Sequence, residues 1–144
     1  MKCPHLVLLL MASVSWLLAG CGGGGGADSA STQTPEEAVN AARSAVTQVT
    51  QSLAADLTSQ NVTAAATHFA PAVRADYQTL MTQHPTSFAR IAGVLPQAQL
   101  TYVSAPSTVD DQQVRYGEMK LLLDGGEFYI ELQQIDGTWY YRTL

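Results

Sequence analysis

The chain has 144 residues, with seven basic against twelve acidic side chains, a formal net charge of −5 and 47% hydrophobic residues. The few basic residues are scattered and form no cationic stripe, which argues against nucleic acid as a partner, and the acidity argues against a surface lying flat on anionic lipid. The two cysteines stand at positions 3 and 21, so beyond Cys21 neither a disulfide nor a Cys/His metal cluster can form, and no cofactor is expected.

Met1 and Lys2 give a short positive start, Leu6 to Leu18 is mostly apolar, and Ala19 and Gly20 are small. This is the three-part layout of a secretory signal peptide over residues 1–20. The apolar run is about thirteen residues, short of the roughly twenty that span a bilayer. Leu18, Ala19, Gly20 and Cys21 together resemble the lipobox of bacterial lipoproteins. That resemblance implies a diacylglycerol on the Cys21 sulfur, cleavage before Cys21 and acylation of the new amine. Two or more acyl chains hold a protein stably on a membrane, whereas one does so marginally. Cys3 would leave with the signal peptide and Cys21 would carry lipid, so the mature chain has no free thiol. In the sorting rule the resemblance brings with it, Gly22 rather than Asp after the cysteine points to the outer membrane, facing the periplasm. An ordinary signal peptide followed by a chance cysteine is the alternative.

Residues 21–34 read as the lipidated cysteine and a flexible linker. Gly22–Gly26 and the small polar residues up to Thr34 have almost nothing to bury, and thirteen such residues reach roughly 20 Å. A phosphate-binding glycine loop is excluded, since no strand precedes the glycines and no Lys-Ser/Thr follows them. Removal of Lys2 leaves six basic residues against twelve acidic, a formal charge of −6. Residues 35–144 then form a single domain.

Thr34, Pro35, Glu36 and Glu37 read as a helix start with a capping box. Val39, Ala42, Val46, Val49, Leu53 and Leu57 follow at spacings of three and four, one narrow apolar stripe on a helix ending near Ser59. It suits packing on one partner surface; a coiled-coil seam is the alternative. Asn61 can cap a short helix over Val62 to Phe69, and Pro71 either kinks it or starts the next helix at Ala72. Val73, Tyr77, Leu80 and Met81 share a face, and His84-Pro85-Thr86 breaks the chain. A last short helix from Ser87 carries Phe88, Ile91 and Leu95, closed by Gly93 and Pro96.

From Gln97 the period changes to two. A strand is expected over 97–104, a polar turn over 105–111, and strands near 112–123, 127–134 and 138–144. "DGG" at 124–126 and "DG" at 136–137 signal hairpins. A turn centred on Gly125-Gly126 places Lys120 opposite Glu131. A turn on Asp124-Gly125 would oppose Glu118 to Glu131, which is unfavourable, so the first register is preferred. With Asp136-Gly137 as the second turn, Leu132 faces Tyr141 and Glu131 faces Arg142. Leu121, Leu123, Phe128, Ile130, Leu132, Trp139 and Tyr141 then make one apolar side for the helices to cover. A Lys120–Glu131–Arg142 row lies on the other.

The expected class is α+β, with N-terminal helices packed on a curved antiparallel meander. That order, with Ile135-Asp136-Gly137-Thr138-Trp139 in the last hairpin and Phe69, Pro71 and Tyr77 in the second-helix region, resembles the nuclear transport factor 2-like superfamily over about 35–144. The resemblance implies a cone-like fold around a pocket. Some members are isomerases, cyclases or dehydratases using Asp, His and Tyr there, while others only bind or assemble. Such a fold does not choose between those functions.

Chemistry requires a titratable group held against a substrate. His68 reads as a partly exposed structural histidine beside Phe69, and His84 as a solvated loop residue. Asp76 and Tyr77 could pair with either as an acid–base set, but Tyr77 belongs to an apolar stripe that Asp76 faces away from. Glu131, tied between two cations, is a poor base. No serine has a G-x-S-x-G setting. The aromatic residues Tyr102, Tyr116, Trp139, Tyr140 and Tyr141 could line an apolar pocket or serve sheet packing and an exposed edge. The candidate pocket set is His68, Phe69, Tyr77, Tyr102, Trp139 and Tyr141. The expectation is a non-enzymatic envelope lipoprotein, membrane-bound through Cys21, that binds a protein or a small apolar ligand, with a homodimer through the sheet as an open option. The alternative is an envelope enzyme of cyclase or isomerase type.

Overall fold

The computed structural model describes residues 33–144; the expected signal peptide, Cys21 and most of the linker lie outside them. Four helices come first: α1 (Pro35–Thr58), α2 (Val62–Thr67), α3 (Arg74–Gln83) and α4 (Pro85–Val94), then a 3₁₀ turn at Leu95–Gln97. Five strands follow: β1 (Gln99–Val103), β2 (Ser107–Val109), β3 (Gln112–Leu123), β4 (Gly126–Ile135) and β5 (Thr138–Tyr141). The class is therefore α+β. The sheet is antiparallel and open, ordered β1-β3-β4-β5, with β2 also on β3.

Helix α1 starts as its sequence dictates. The Thr34 hydroxyl accepts the Glu37 amide while the Glu37 carboxylate accepts the Thr34 amide at 2.8 Å, and Pro35 occupies the first turn. The buried line is Ala38, Ala42, Val46, Thr50, Leu53, Ala54 and Leu57. It sits one residue to the side of the expected stripe, because Thr50 is buried while Val39 and Val49 are only half-buried. The small residues let α1 lie close on the inner face of the sheet, against β1 and β5.

The later helices differ in detail from their sequence reading. Residues 71–73 form a turn, and α3 begins at Arg74. His84 alone ends α3 and opens α4, with Pro85 in the first turn of α4 rather than in a loop. Gly93 lies inside α4 and does not close it. Leu80, expected on the apolar face, is exposed, while Met81 is buried.

Two corrections concern the sheet. Residues 105–111 are not all turn: Ser107–Val109 pair with Gln112–Val114 around a two-residue Asp110-Asp111 turn. More consequentially, β3 and β4 adopt the other register. Leu123 faces Gly126, and Glu118 stands opposite Glu131. Asp124 (φ 54°) and Gly125 (φ 80°) are the turn residues, the double positive-φ geometry of a two-residue hairpin, which Asp-Gly favours. The opposed glutamates are drawn apart. Glu131 meets Arg142 at 3.5 Å and Glu118 accepts the Thr101 hydroxyl at 3.4 Å. Lys120 gains Glu127 across the strands instead of Glu131. At a solvated surface these exchanges offset a like-charge cost of only about 0.2–1 kcal/mol.

The slip is two residues, so it leaves every side chain on its expected face. Leu121, Ile130, Leu132, Trp139 and Tyr141 are buried inward. Phe128 is the exception: it shares their side but stands exposed near the hairpin tip. Strand β5 is in the expected register, Leu132 facing Tyr141, but ends at Tyr141. Gly117 lies inward beneath the Trp139 indole; a Cβ there would come within 3.1 Å of the ring and press on it.

Candidate functional site

The interior is filled. Tyr141, Phe69, Leu53, Leu95, Met119 and Leu132 are fully buried at its centre. The Phe69 and Tyr77 rings stack at 4.0 Å, with Phe69 and Tyr141 tilted at 5.9 Å. The Thr50 hydroxyl has one proton and lies 2.7 Å from both the Val46 carbonyl and the Tyr141 oxygen. The carbonyl can only accept, so the phenol donates to Thr50 and Thr50 to Val46. Burial pushes the Tyr141 phenol up to about 12. Tyr77 holds its own hydroxyl toward the Leu144 amide, which donates to it at 2.8 Å.

Of the sequence-derived set, Phe69, Tyr77, Trp139 and Tyr141 thus meet in or beside the core. Tyr102 does not join them: it stands 51% exposed on the outer face of the sheet. Cys21 lies outside the described residues. His68 sits at the C-terminal cap of α2, where its carbonyl accepts the Tyr141 amide at 2.9 Å. This short parallel bridge, continued by Ala70 N–H to the Tyr141 carbonyl, seals part of the β5 edge.

The acid that meets His68 is Asp56, not Asp76. His68 Nε2 lies 2.8 Å from Asp56 Oδ2, with side chains 18% and 28% exposed. Asp56 lies on the last turns of α1, twelve residues earlier, and no local spacing announces the pair. The helix phase could have found it: Asp56 is four residues after Ser52, on the strip of α1 that also carries Val49 and Ala45. Those three residues, with His68, Thr138 and Trp139, border a cleft of about 330 Å³. A histidine oriented by a carboxylate at the edge of a cleft has the arrangement of a general base. His84 is a cap residue between two helices.

Two further surface features stand out, the first of them the exposed-edge alternative for Tyr102 and Tyr116. The outer face of the sheet carries Leu122 at 63% and Tyr129 at 57% exposure, together with Tyr102 and Tyr116. Arg142 lies 5.5 Å above the Tyr116 ring and ties it to Glu131. At the end of this face, where the β2–β3 and β4–β5 turns meet, an open cleft of about 590 Å³ lies between the Pro71 turn and Asp110. Val114, Ile135 and Tyr140 form its floor.

Among the described residues no group of three or more His, Cys, Asp or Glu side chains could hold a metal ion, and no helix is long and apolar enough to cross a membrane. Compared with protein-family models, curated proteins and solved structures, the chain has no match in any of the three.

Proposed function

We propose that this chain is a lipoprotein of a bacterial cell envelope, anchored by acyl groups on Cys21, in the outer membrane and facing the periplasm. Its domain is a non-enzymatic binding or assembly module for a protein partner or a small apolar ligand. The domain is read as a member of the nuclear transport factor 2-like superfamily, supported by the order of helices and then meander. The anchor reading is supported by Leu18-Ala19-Gly20-Cys21 after a signal-like stretch.

The observation that carries the binding reading is a contrast between the two faces of the sheet. The inner face is covered by the helices, while the outer face leaves Leu122, Tyr129 and Tyr102 in water. Exposed aromatic and aliphatic side chains gathered on one face mark an interaction surface. Cys21→Ser should release the protein from the membrane fraction; if it stays bound, the anchor reading is wrong. Envelope extract passed over the lipidated protein should yield a partner that Leu122→Asp with Tyr129→Asp no longer retains. Equal retention by the substituted protein would remove the outer face from the reading.

A second reading, an envelope enzyme of cyclase or isomerase type, is favoured by one observation: His68 and Asp56 converge at 2.8 Å beside a cleft. An enzyme of that class removes a proton from carbon. Deuterium uptake from heavy water into carbonyl compounds of the envelope should then depend on His68 and vanish in His68→Ala; uptake unchanged by that substitution rules the reading out.

A further inference from the structure

We propose that the 590 Å³ cleft at the turn end of the sheet is a binding site for a small organic cation: an amine or guanidine on a compact apolar body. This rests on the reading of the domain as a binding module and names the ligand class for the far end of the outer face, away from Leu122 and Tyr129.

The cleft has the size of a small-molecule site. Val114, Ile135, the Tyr140 ring, Val109 and Pro71 give it an apolar floor, and Gln112, Gln133 and Thr138 add neutral polar groups to its walls. Val114 is buried although it lies on the outer side of β3, so this corner of the sheet curls into a concave surface. Charge at the rim has a single sign. Asp110 and Asp136 are the charged residues that line the cleft, and no lysine, arginine or histidine lines it.

Topology brings these two carboxylates together. Each is the first residue of a two-residue hairpin turn, Asp110 at φ 49° and Asp136 at φ 47°, and both turns lie at the same end of the sheet. The Asp136 amide donates to the Gln113 carbonyl at 3.0 Å, and the Gln113 amide donates back to Asp136 Oδ1 at 3.1 Å. That clasp fixes the β4–β5 turn against the start of β3 and holds the Asp136 carboxyl before any ligand arrives. Oδ2 makes no hydrogen bond among the described residues, and neither does the Asp110 carboxyl. An apolar floor with an acidic rim fits a ligand whose body is apolar and whose head is cationic. An anion would be repelled by both carboxylates. A neutral body of the same shape would gain only the floor.

The test uses the full chain in a non-ionic detergent and two probes of one shape, phenethylamine and 2-phenylethanol. The amine should shift the amide resonances of Gln113, Val114 and Ile135 saturably, and bind about tenfold more tightly than the alcohol, as two carboxylates at hydrated distances allow. Added salt should weaken the amine and leave the alcohol unchanged. Asp110→Asn with Asp136→Asn should reduce the amine to the level of the alcohol. Asparagine accepts positive φ and keeps an oxygen for the Gln113 amide, so the turns survive this change. Ala72→Trp, at an exposed position on the rim, should block both probes and serves if the asparagine variant does not fold. Equal binding of amine and alcohol, amine binding unaffected by the asparagine pair, or shifts confined to other residues would each overturn the proposal. Absence of any shift at 10 mM amine would do the same. None of these results bears on Cys21→Ser release or on the partner held by Leu122 and Tyr129, so the two readings fail separately.

Discussion

The hydroxyl oxygens of Thr50 on α1 and Tyr141 on β5 lie 2.7 Å apart inside the core, joining the first helix to the last strand. The phenol has a folded-state pKa near 12 against an ordinary value of 10.0. A raised tyrosine pKa means that the neutral form is the one the fold holds. Its contribution is complete below pH 10 and is lost as pH rises through about 12, and two units correspond to about 2–3 kcal/mol. Ultraviolet titration should therefore show one of the six tyrosines ionising late, together with unfolding, and Tyr141→Phe should remove that late step. Thr50→Val leaves the phenol without an acceptor and should cost about 1–3 kcal/mol, read from denaturant midpoints.

The hairpin register makes a second prediction. Gly125 has φ 80°, where any side chain is strained, whereas a Cβ on Gly126 meets the exposed Phe128 ring at 3.3 Å and the Leu123 carbonyl at an ordinary 3.5 Å. Gly125→Ala should cost about 1 kcal/mol, and Gly126→Ala distinctly less, in thermal unfolding. A turn centred on Gly125-Gly126 would make the two substitutions similar in cost.

The start of α1 should be acid-sensitive. The Thr34 backbone amide, and then its hydroxyl, hold the Glu37 carboxyl below its ordinary value of 4.5. A depressed carboxylate pKa stabilises the fold above 4.5, and the contribution disappears as pH falls through the folded value. Amide protection at Glu37 and Ala38 should fall as the pH drops below 4.5, before the core opens, and Thr34→Ala should produce the same fraying at neutral pH, at a cost of about 1 kcal/mol.

Asp56 and His68 hold α1 to the end of α2. Asp56→Ala and His68→Ala should each destabilise by about 1 kcal/mol, and the double variant by less than the sum of the two. Strict additivity would mean that the pair contributes no coupling.

The legible parts of this chain were those written in local code. The Thr34 cap, the Asp-Gly turns and the alternation along β3–β5 led directly to helix start, hairpins and inward faces. Register is set by the Asp124-Gly125 turn geometry, which overrides charge pairing at a solvated surface. The slip is two residues, so the inner face is as expected except at Phe128, and Lys120 changes partner. Thr50, a polar residue outside the apolar stripe, is buried; its hydroxyl is satisfied within its own helix and by a phenol 91 residues away, a contact no periodicity reveals. The Asp110–Asp136 cleft was invisible for a related reason, and Asp56–His68 nearly so: each is assembled by tertiary packing from elements unremarkable on their own.

Tyr141, the largest fully buried side chain, bonds to Thr50, 91 residues earlier in the chain. The core thus lacks its keystone until the last strand is available. On the proposed export route, a chain threading through a translocation channel must stay extended until it is across. A domain whose core closes only when β5 joins it cannot complete itself while β5 is still in the channel.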